Sequence, residues 1–300
     1  MKILITGGNG QVGKALVATA PQGWDIAVVG RDAVDIADFD AARAAIDAAI
    51  PDILINAAAY TAVDRAENDA DSADRINGAA VANLADACAA RGVRLVHYST
   101  DFIFDGLSSR PYSPDDRPAP LSVYGRSKLA GETAAAAIPA NLILRTSWVY
   151  SAGGASFLGT MLRLMAERDE VRVVADQVGT PTHAFSLARA TWRLVEKNVR
   201  GVHHFTDAGV ASWYDFAVAI AEEAREVGLL DRDVPVIPIP TVDYPTPARR
   251  PAFSVLDKTS CWKLLGAPSR HWRAELRDAL ASLAGHEKHE GKQTECLTCS

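Results

Sequence analysis

Along the first half of the chain, short unbroken runs of aliphatic residues alternate with longer stretches whose apolar positions recur every three or four residues. Lys2–Thr6, Ile26–Val29, Asp52–Asn56, Val93–Asp101 and the start of Asn141–Tyr150 are the short runs. Apolar and β-branched, without polar alternation, they predict strands buried on both faces. Lys14–Ala18, Phe39–Ile50, Ile76–Ala90 and the alanine-rich stretch after Leu129 predict helices. Strand and helix in turn is the signature of an α/β fold with a parallel, doubly wound sheet. We place it over residues 1–145. Residues 146–284 are more irregular, as expected of a smaller C-terminal substrate-binding domain. Within them, Phe157–Arg168, Ser186–Asn198 and Trp213–Glu226 read as helices, the last with Ser212 as N-cap. The boundary is not a single cut, since the segment 170–200 has the pattern to return to the first sheet. A final helix is expected over Trp272–Leu283, and the polar tail 285–300 is expected to be disordered.

Composition narrows the classes. The chain has 300 residues, is 48% hydrophobic and carries a formal net charge of -6. That balance speaks against a nucleic-acid surface or a polybasic membrane anchor. No apolar run approaches the ~20 residues needed to cross a bilayer. Met1–Gly7 leads straight into a strand and a glycine loop, without the apolar core of a signal peptide, so a cytoplasmic protein is expected. Cys88 and Cys261 read as buried thiols; Cys296 and Cys299 form an isolated C-x-x-C to which no metal or redox chemistry is assigned.

Two stretches carry candidate chemistry. Gly7, Gly10 and Gly13 give G-x-x-G-x-x-G between the first strand and the first helix. Such a turn lets backbone approach a pyrophosphate and aims a helix N-terminus at its charge. A dinucleotide site follows. The residue after the second strand then meets the adenosine ribose. Arg31 there suits a 2′-phosphate and Asp32 suits free hydroxyls, so NADPH and NADH both stay open. Small residues at Asn56–Ala59 leave room for a cofactor across the sheet edge.

The second stretch is Tyr124-Gly125-Arg126-Ser127-Lys128. On a helix, positions i and i+4 share a face, so the Lys128 ammonium can lie near the Tyr124 phenol and lower its pKa. That pair can hand a proton to a carbonyl oxygen as it gains charge. Ser99, Thr100 and Asp101 close the fourth predicted strand, where ligands of open α/β sheets bind, and a hydroxyl there can hold a carbonyl oxygen. Asp64, Arg65 and Glu67 read as a solvated face. His97, His203 and His204 lack metal-ligand spacing. Arg249 and Arg250 fit either a diphosphate or a surface role.

Together these motifs resemble the extended short-chain dehydrogenase/reductases of the Rossmann type. Gly10-Gln11-Val12-Gly13, Asn56–Asp64, Tyr98–Asp101, Lys128–Glu132, Arg145–Tyr150 and Tyr244–Pro251 narrow the resemblance to the dTDP-4-dehydrorhamnose reductase family, over roughly residues 1–283. The resemblance implies reduction by NADPH or NADH of the C4 ketone of a dTDP-sugar, dTDP-4-dehydro-L-rhamnose. It implies Tyr124 as proton donor, Lys128 as its partner on the nicotinamide ribose, and Thr100 on the C4 oxygen. Asp101 would contact the sugar, and Trp148 would stack or hydrogen-bond beside it. Gly7, Gly10, Gln11, Val12 and Gly13 would meet the pyrophosphate, Arg31, Asp35 and Ile36 the adenosine end, and Ala58, Ala59, Tyr60, Thr61 and Tyr98 the length of the cofactor. Family members often carry His where Tyr60 stands. Some are described as Mg-dependent homodimers; no acidic residue of this chain is assigned to Mg2+, and a homodimer is carried as an expectation of the resemblance alone. Two competing readings fit part of the pattern. One is a non-catalytic NADP-binding regulatory subunit, of the kind that partners methionine adenosyltransferase. The other is a nucleotide-sugar epimerase or dehydratase; a dehydratase would need an acidic residue where Phe102 stands.

Overall fold

In the computed structural model, residues 1–152 and 156–297 are described, with side chains through residue 285. Six parallel strands form the central sheet: β1 Lys2–Thr6, β2 Asp25–Val29, β3 Ile53–Asn56, β4 Arg94–Thr100, β5 Leu142–Thr146 and β6 Gly201–His204. Their order is β2-β1-β3-β4-β5-β6, every pairing parallel. The chain runs outward from β1 to β2, then crosses back to β3, so the order reverses between β1 and β3. Open α/β sheets bind ligands at that reversal, beyond the carboxyl ends of the strands.

Alternation along the strands explains the layers. Ile3, Ile5, Ile53, Ile55, Val96, Leu142 and Leu144 join one buried cluster with Leu16 and Leu187. Leu4, Leu54, Leu95 and Ile143, one residue out of phase, join another with Ile46 and Leu84. Successive strand side chains point to opposite faces, so both faces are covered by helices. Helix Ala184–Glu196 covers the first face, and its Trp192 Nε1 donates to the Leu16 carbonyl at 3.3 Å. Strand Val171–Val174 pairs instead with Val236–Ile239, outside the main sheet. A separate apolar cluster is built from Tyr150, Leu158, Met161, Val171, Phe216, Ile220, Leu276 and Leu280.

The last helix is Trp272–Leu297. Its backbone thus continues past Leu283 and is helical where the sequence reading expected a disordered tail; Glu, Lys and Gln in that stretch are good helix formers. Cys299 lies outside the described residues.

Candidate active site at the carboxyl ends of the strands

The glycine loop leaves β1 and folds against the end of β3. Gly7 has φ +73°, and a Cβ there would fall 2.5 Å from the Ala58 backbone nitrogen, so both conformation and space demand glycine. Gly10 N donates back to the Gly7 carbonyl at 3.0 Å. Helix Gln11–Ala18 starts on Gly10 without a side-chain cap, and a helix N-terminus favours an anion. Asn56 fixes the facing strand end: its Oδ1 accepts from Thr6 Oγ1 at 2.7 Å and from Ala58 N at 3.2 Å.

Tyr60 follows, held by its backbone. Its N–H donates to Asn77 Oδ1 at 2.9 Å, and its carbonyl accepts from Asn77 Nδ2 at 3.0 Å. Asn77 Nδ2 also donates to Ser127 Oγ at 3.0 Å, and Ser127 donates to the Tyr124 carbonyl at 2.9 Å. Asn77 therefore ties the β3 loop to the helix that carries Tyr124. It sits in a π-helical segment, Asp74–Ala79, a wide turn of the kind often found at functional sites. Nothing in the local sequence announces it.

Helix Val123–Ala136 begins at Ser122, whose Oγ accepts from Gly125 N at 3.1 Å. Glu67 Oε1 accepts from Val123 N at 2.8 Å. Tyr124 and Lys128 follow one turn apart. Lys128 is 3% exposed, and its Nζ donates to the Tyr98 carbonyl at 2.6 Å. Burial lowers its pKa to about 8, with Glu132 opposing. Burial pushes the Tyr124 phenol up to about 12; a hydrogen bond with Thr100 opposes the rise and Asp101 adds to it. The sequence reading had Lys128 lower the tyrosine's pKa. Here desolvation drives it upward, and the ammonium is engaged by Tyr98.

β4 delivers Thr100 and Asp101 to the same place. Thr100 Oγ1 donates to Asp101 Oδ1 at 3.0 Å and accepts from Phe102 N at 3.2 Å. Burial raises the Asp101 carboxyl to about 6, against hydrogen bonds from Ser254 and Thr100. The Phe102 ring meets Tyr124 edge-on at 5.6 Å between centroids. Behind this wall, Arg145 on β5 pairs with buried Glu132 at 2.6 Å.

β5 pairs with β4 as far as Thr146 opposite Thr100, so Trp148 stands two residues beyond that shared edge. It has φ +47°, uncommon for a bulky side chain. Trp213 stacks on it with centroids 3.5 Å apart and planes 6° apart. A Cβ on Gly179 would come within 2.7 Å of the Trp148 ring. Trp213 and Gly179 were not singled out from the sequence.

Residues 1–284 match the family described as the RmlD substrate binding domain. The chain belongs to this family. The dTDP-4-dehydrorhamnose reductase of Burkholderia thailandensis is 44% identical over 285 residues, covering 91% of this chain and 96% of that protein. The Escherichia coli K12 reductase is 42% identical over 293 residues, covering 94% and 98%. Among solved structures, a Bacillus anthracis dTDP-4-dehydrorhamnose reductase in complex with NADP superimposes with a TM-score of 0.88 at 34% identity, covering 94% of this chain and all of that one. A Thermus thermophilus UDP-glucose 4-epimerase complex with NAD shares the fold, with a TM-score of 0.78 at 22% identity.

In this RmlD-family chain the remaining candidates fall out unevenly. Ala58, Ala59 and Tyr60 are half-buried and Thr61 exposed along the loop after β3. Gln11 Oε1 accepts from Ser151 Oγ at 2.9 Å, joining the glycine loop to the segment after β5. Arg31 is open to solvent, whereas the Ile36 side chain is buried in the core cluster of Leu4. Of the supposed solvated face, Arg65 alone fits. Glu67 caps Val123, and Asp64 accepts both terminal nitrogens of Arg250, Nη1 at 2.9 Å and Nη2 at 2.8 Å. Arg250 also donates to Thr246 Oγ1, which leaves it committed to its own loop; Arg249 is exposed. His97 is buried beside Asn56 and held neutral by burial; burial and Arg145 push His204 down to about 3. Among the described residues, no three His, Cys, Asp or Glu side chains are placed to hold a metal, so no step is assigned to Mg2+.

Proposed function

We propose that this chain is an NAD(P)H-dependent reductase that converts the C4 ketone of dTDP-4-dehydro-β-L-rhamnose to the alcohol of dTDP-L-rhamnose. The observation that carries the reading is the hydrogen bond of Tyr124 with Thr100, with Lys128 one helical turn on and held by the Tyr98 carbonyl of the same strand, in a chain about 40% identical to such reductases over most of its length.

The dinucleotide, when bound, supplies the hydride that the ketone carbon receives. The glycine loop and the helix start at Gln11 bind the pyrophosphate; Ala58, Ala59 and Tyr60 border the rest. Thr100 hydrogen-bonds the ketone oxygen and sets it against the Tyr124 hydroxyl. Tyr124 gives its proton to that oxygen. A phenol with a pKa of about 12 stays protonated at neutral pH, yet is acidic enough to protonate an alkoxide. The charged Lys128 steadies the phenolate left behind and fixes the cofactor ribose. Thr100 donates to buried Asp101 in the free protein and turns that proton to the ketone oxygen when the sugar binds, leaving Asp101 to meet the sugar; Trp148 walls it.

The reading divides the labour as the sequence suggested. The central sheet, with helix Ala184–Glu196 and β6, holds the dinucleotide, and the second apolar cluster shapes the sugar side. It places the protein in the cytoplasm, supported by the unpaired thiols of Cys88 and Cys261 and by the lack, among the described residues, of a helix long and apolar enough to cross a membrane. Assembly as a homodimer belongs to the reading as well.

The test is oxidation of NADPH and NADH, followed by absorbance, with the keto sugar generated in place from dTDP-glucose. Oxidation that depends on the sugar supports the reading. A folded protein that binds NADPH but oxidises neither cofactor turns it toward a regulatory subunit.

A further inference from the structure

Lys128 is almost fully buried, and its hydrogen-bond partner among the described residues is the Tyr98 carbonyl, which is neutral. A buried ammonium is costly unless an opposite charge compensates it. The surrounding groups narrow the source of that charge. On β4, His97 is held neutral by burial and by Lys128 itself. At the end of β4, Asp101 is engaged with Thr100 and acts on Tyr124. On the segments packed against the same helix, Asp64 is spent on Arg250, Glu67 on Val123 N and Asp69 on the Tyr60 hydroxyl. Arg75 donates to the Ala37 carbonyl, and burial keeps Cys88 a neutral thiol. Asp71, Asp74 and Asp86 are exposed, where water screens them.

Glu132 remains. It stands one turn beyond Lys128 on the same helix and is 4% exposed. Arg145 reaches it from β5: Nε donates to both carboxylate oxygens at 3.1 Å, and Nη2 to Oε1 at 2.6 Å. Arg145 is fixed in turn, because its Nη1 donates to the Pro114 carbonyl at 2.9 Å and its guanidinium lies 5.4 Å from the centre of the Phe104 ring. A buried pair of this kind can often be replaced by apolar side chains without loss of stability, so stability alone does not account for it.

We infer that Glu132, fixed by Arg145, is a positioning residue that acts through Lys128: its carboxylate compensates the buried ammonium and keeps it charged toward the cofactor ribose. The inference rests on the reductase reading and deepens it. Tyr124, Lys128 and Glu132 follow one another at four-residue steps, so one helix face carries the proton donor, its cation and the anion that supports the cation.

The experiment titrates the full chain with NADPH across pH, following nicotinamide fluorescence, with no sugar present. In the native chain affinity should fall as pH rises through about 8. Glu132→Gln removes the supporting charge, so the fall should move to lower pH by about one unit, with affinity regained on acidification. Glu132→Asp keeps the charge and should stay within about half a unit of the native chain. Glu132→Gln also leaves the Arg145 cation buried and unpaired, which weakens the fold. The double variant Glu132→Gln/Arg145→Met removes both charges and should shift in the same direction, by less, because the repulsion from Arg145 is lost too. A loss of affinity equal at every pH, or a fall that stays at the native pH in the double variant, overturns the inference. Shifted profiles in a chain that does not reduce the sugar count against the reductase reading alone, and a native chain that does not bind NADPH overturns both.

Discussion

The ammonium of Lys128 reaches back across the helix–sheet boundary to the carbonyl of Tyr98, 2.6 Å away, so the lysine is held by β4 before any ligand arrives. Tyr98 stands two residues before Thr100 on that strand. One strand thereby positions both the lysine and the hydroxyl meant for the substrate oxygen.

If Lys128 must be charged, its depressed pKa has a visible consequence. NADPH affinity should fall as pH rises through about 8, and Lys128→Met should be weaker overall and lack that limb. Binding titrations across pH decide it. The same depression has a sign for stability. The unfolded chain holds the Lys128 proton more tightly, so its contribution to folding grows between about 8 and the ordinary lysine value of 10.5.

Tyr124→Phe should reduce turnover by about 100-fold or more, the usual yield of positioned proton transfer, while cofactor binding stays within a few-fold. Steady-state rates paired with a cofactor titration check this. Unchanged turnover would remove Tyr124 as the donor.

The Trp148–Trp213 stack makes a separate prediction. Trp213→Leu should raise KM for the sugar and leave NADPH affinity alone, because Trp213 touches Trp148 rather than the glycine loop. Gly179→Ala should act in the same direction, since its methyl would enter the Trp148 ring. Near-ultraviolet circular dichroism should register the broken stack in both variants.

Asp207 predicts an acid-side effect. It is fully buried, accepts from His183 N at 2.8 Å and from Ser186 Oγ, and burial raises its pKa to about 7. A raised carboxyl stabilises the fold in acid and loses that contribution as pH climbs through the folded value. Asp207→Asn should therefore flatten the decline in melting temperature between about pH 4 and about pH 7. A decline of the same slope in the variant would show that another group titrates.

Local signals carried the parts of the site that sequence could reveal. The glycine spacing after β1, the four-residue step from Tyr124 to Lys128 and the polar end of β4 are each set by neighbours in the chain. What escaped depends on distant partners. Asp64 and Arg250 are 186 positions apart, and neither residue alone tells a solvated charge from half of a bidentate pair. Glu67 looked like surface until Val123 supplied its donor. Trp213 stood only at the start of a predicted helix until Trp148 stacked on it, and the direction of the Tyr124 pKa depended on burial that spacing does not encode. The start of the segment 170–200 does not return to the first sheet: strand Val171–Val174 pairs with Val236–Ile239, which lies in a Pro-rich stretch with little strand signal of its own.

The sixth strand, Gly201–His204, reaches the sheet only after the chain has left it to build part of the second cluster. Joining the first 150 or so residues to a relative's remainder at one crossover would leave the β5 edge to be completed by a foreign strand, and Leu16 to be met by a foreign tryptophan. An unpaired β5 edge would also invite aggregation. Exchange of sugar specificity within the family is therefore expected to proceed by loop replacement or by paired crossovers on either side of Ala184–His204, with single-crossover chimaeras mostly failing to fold.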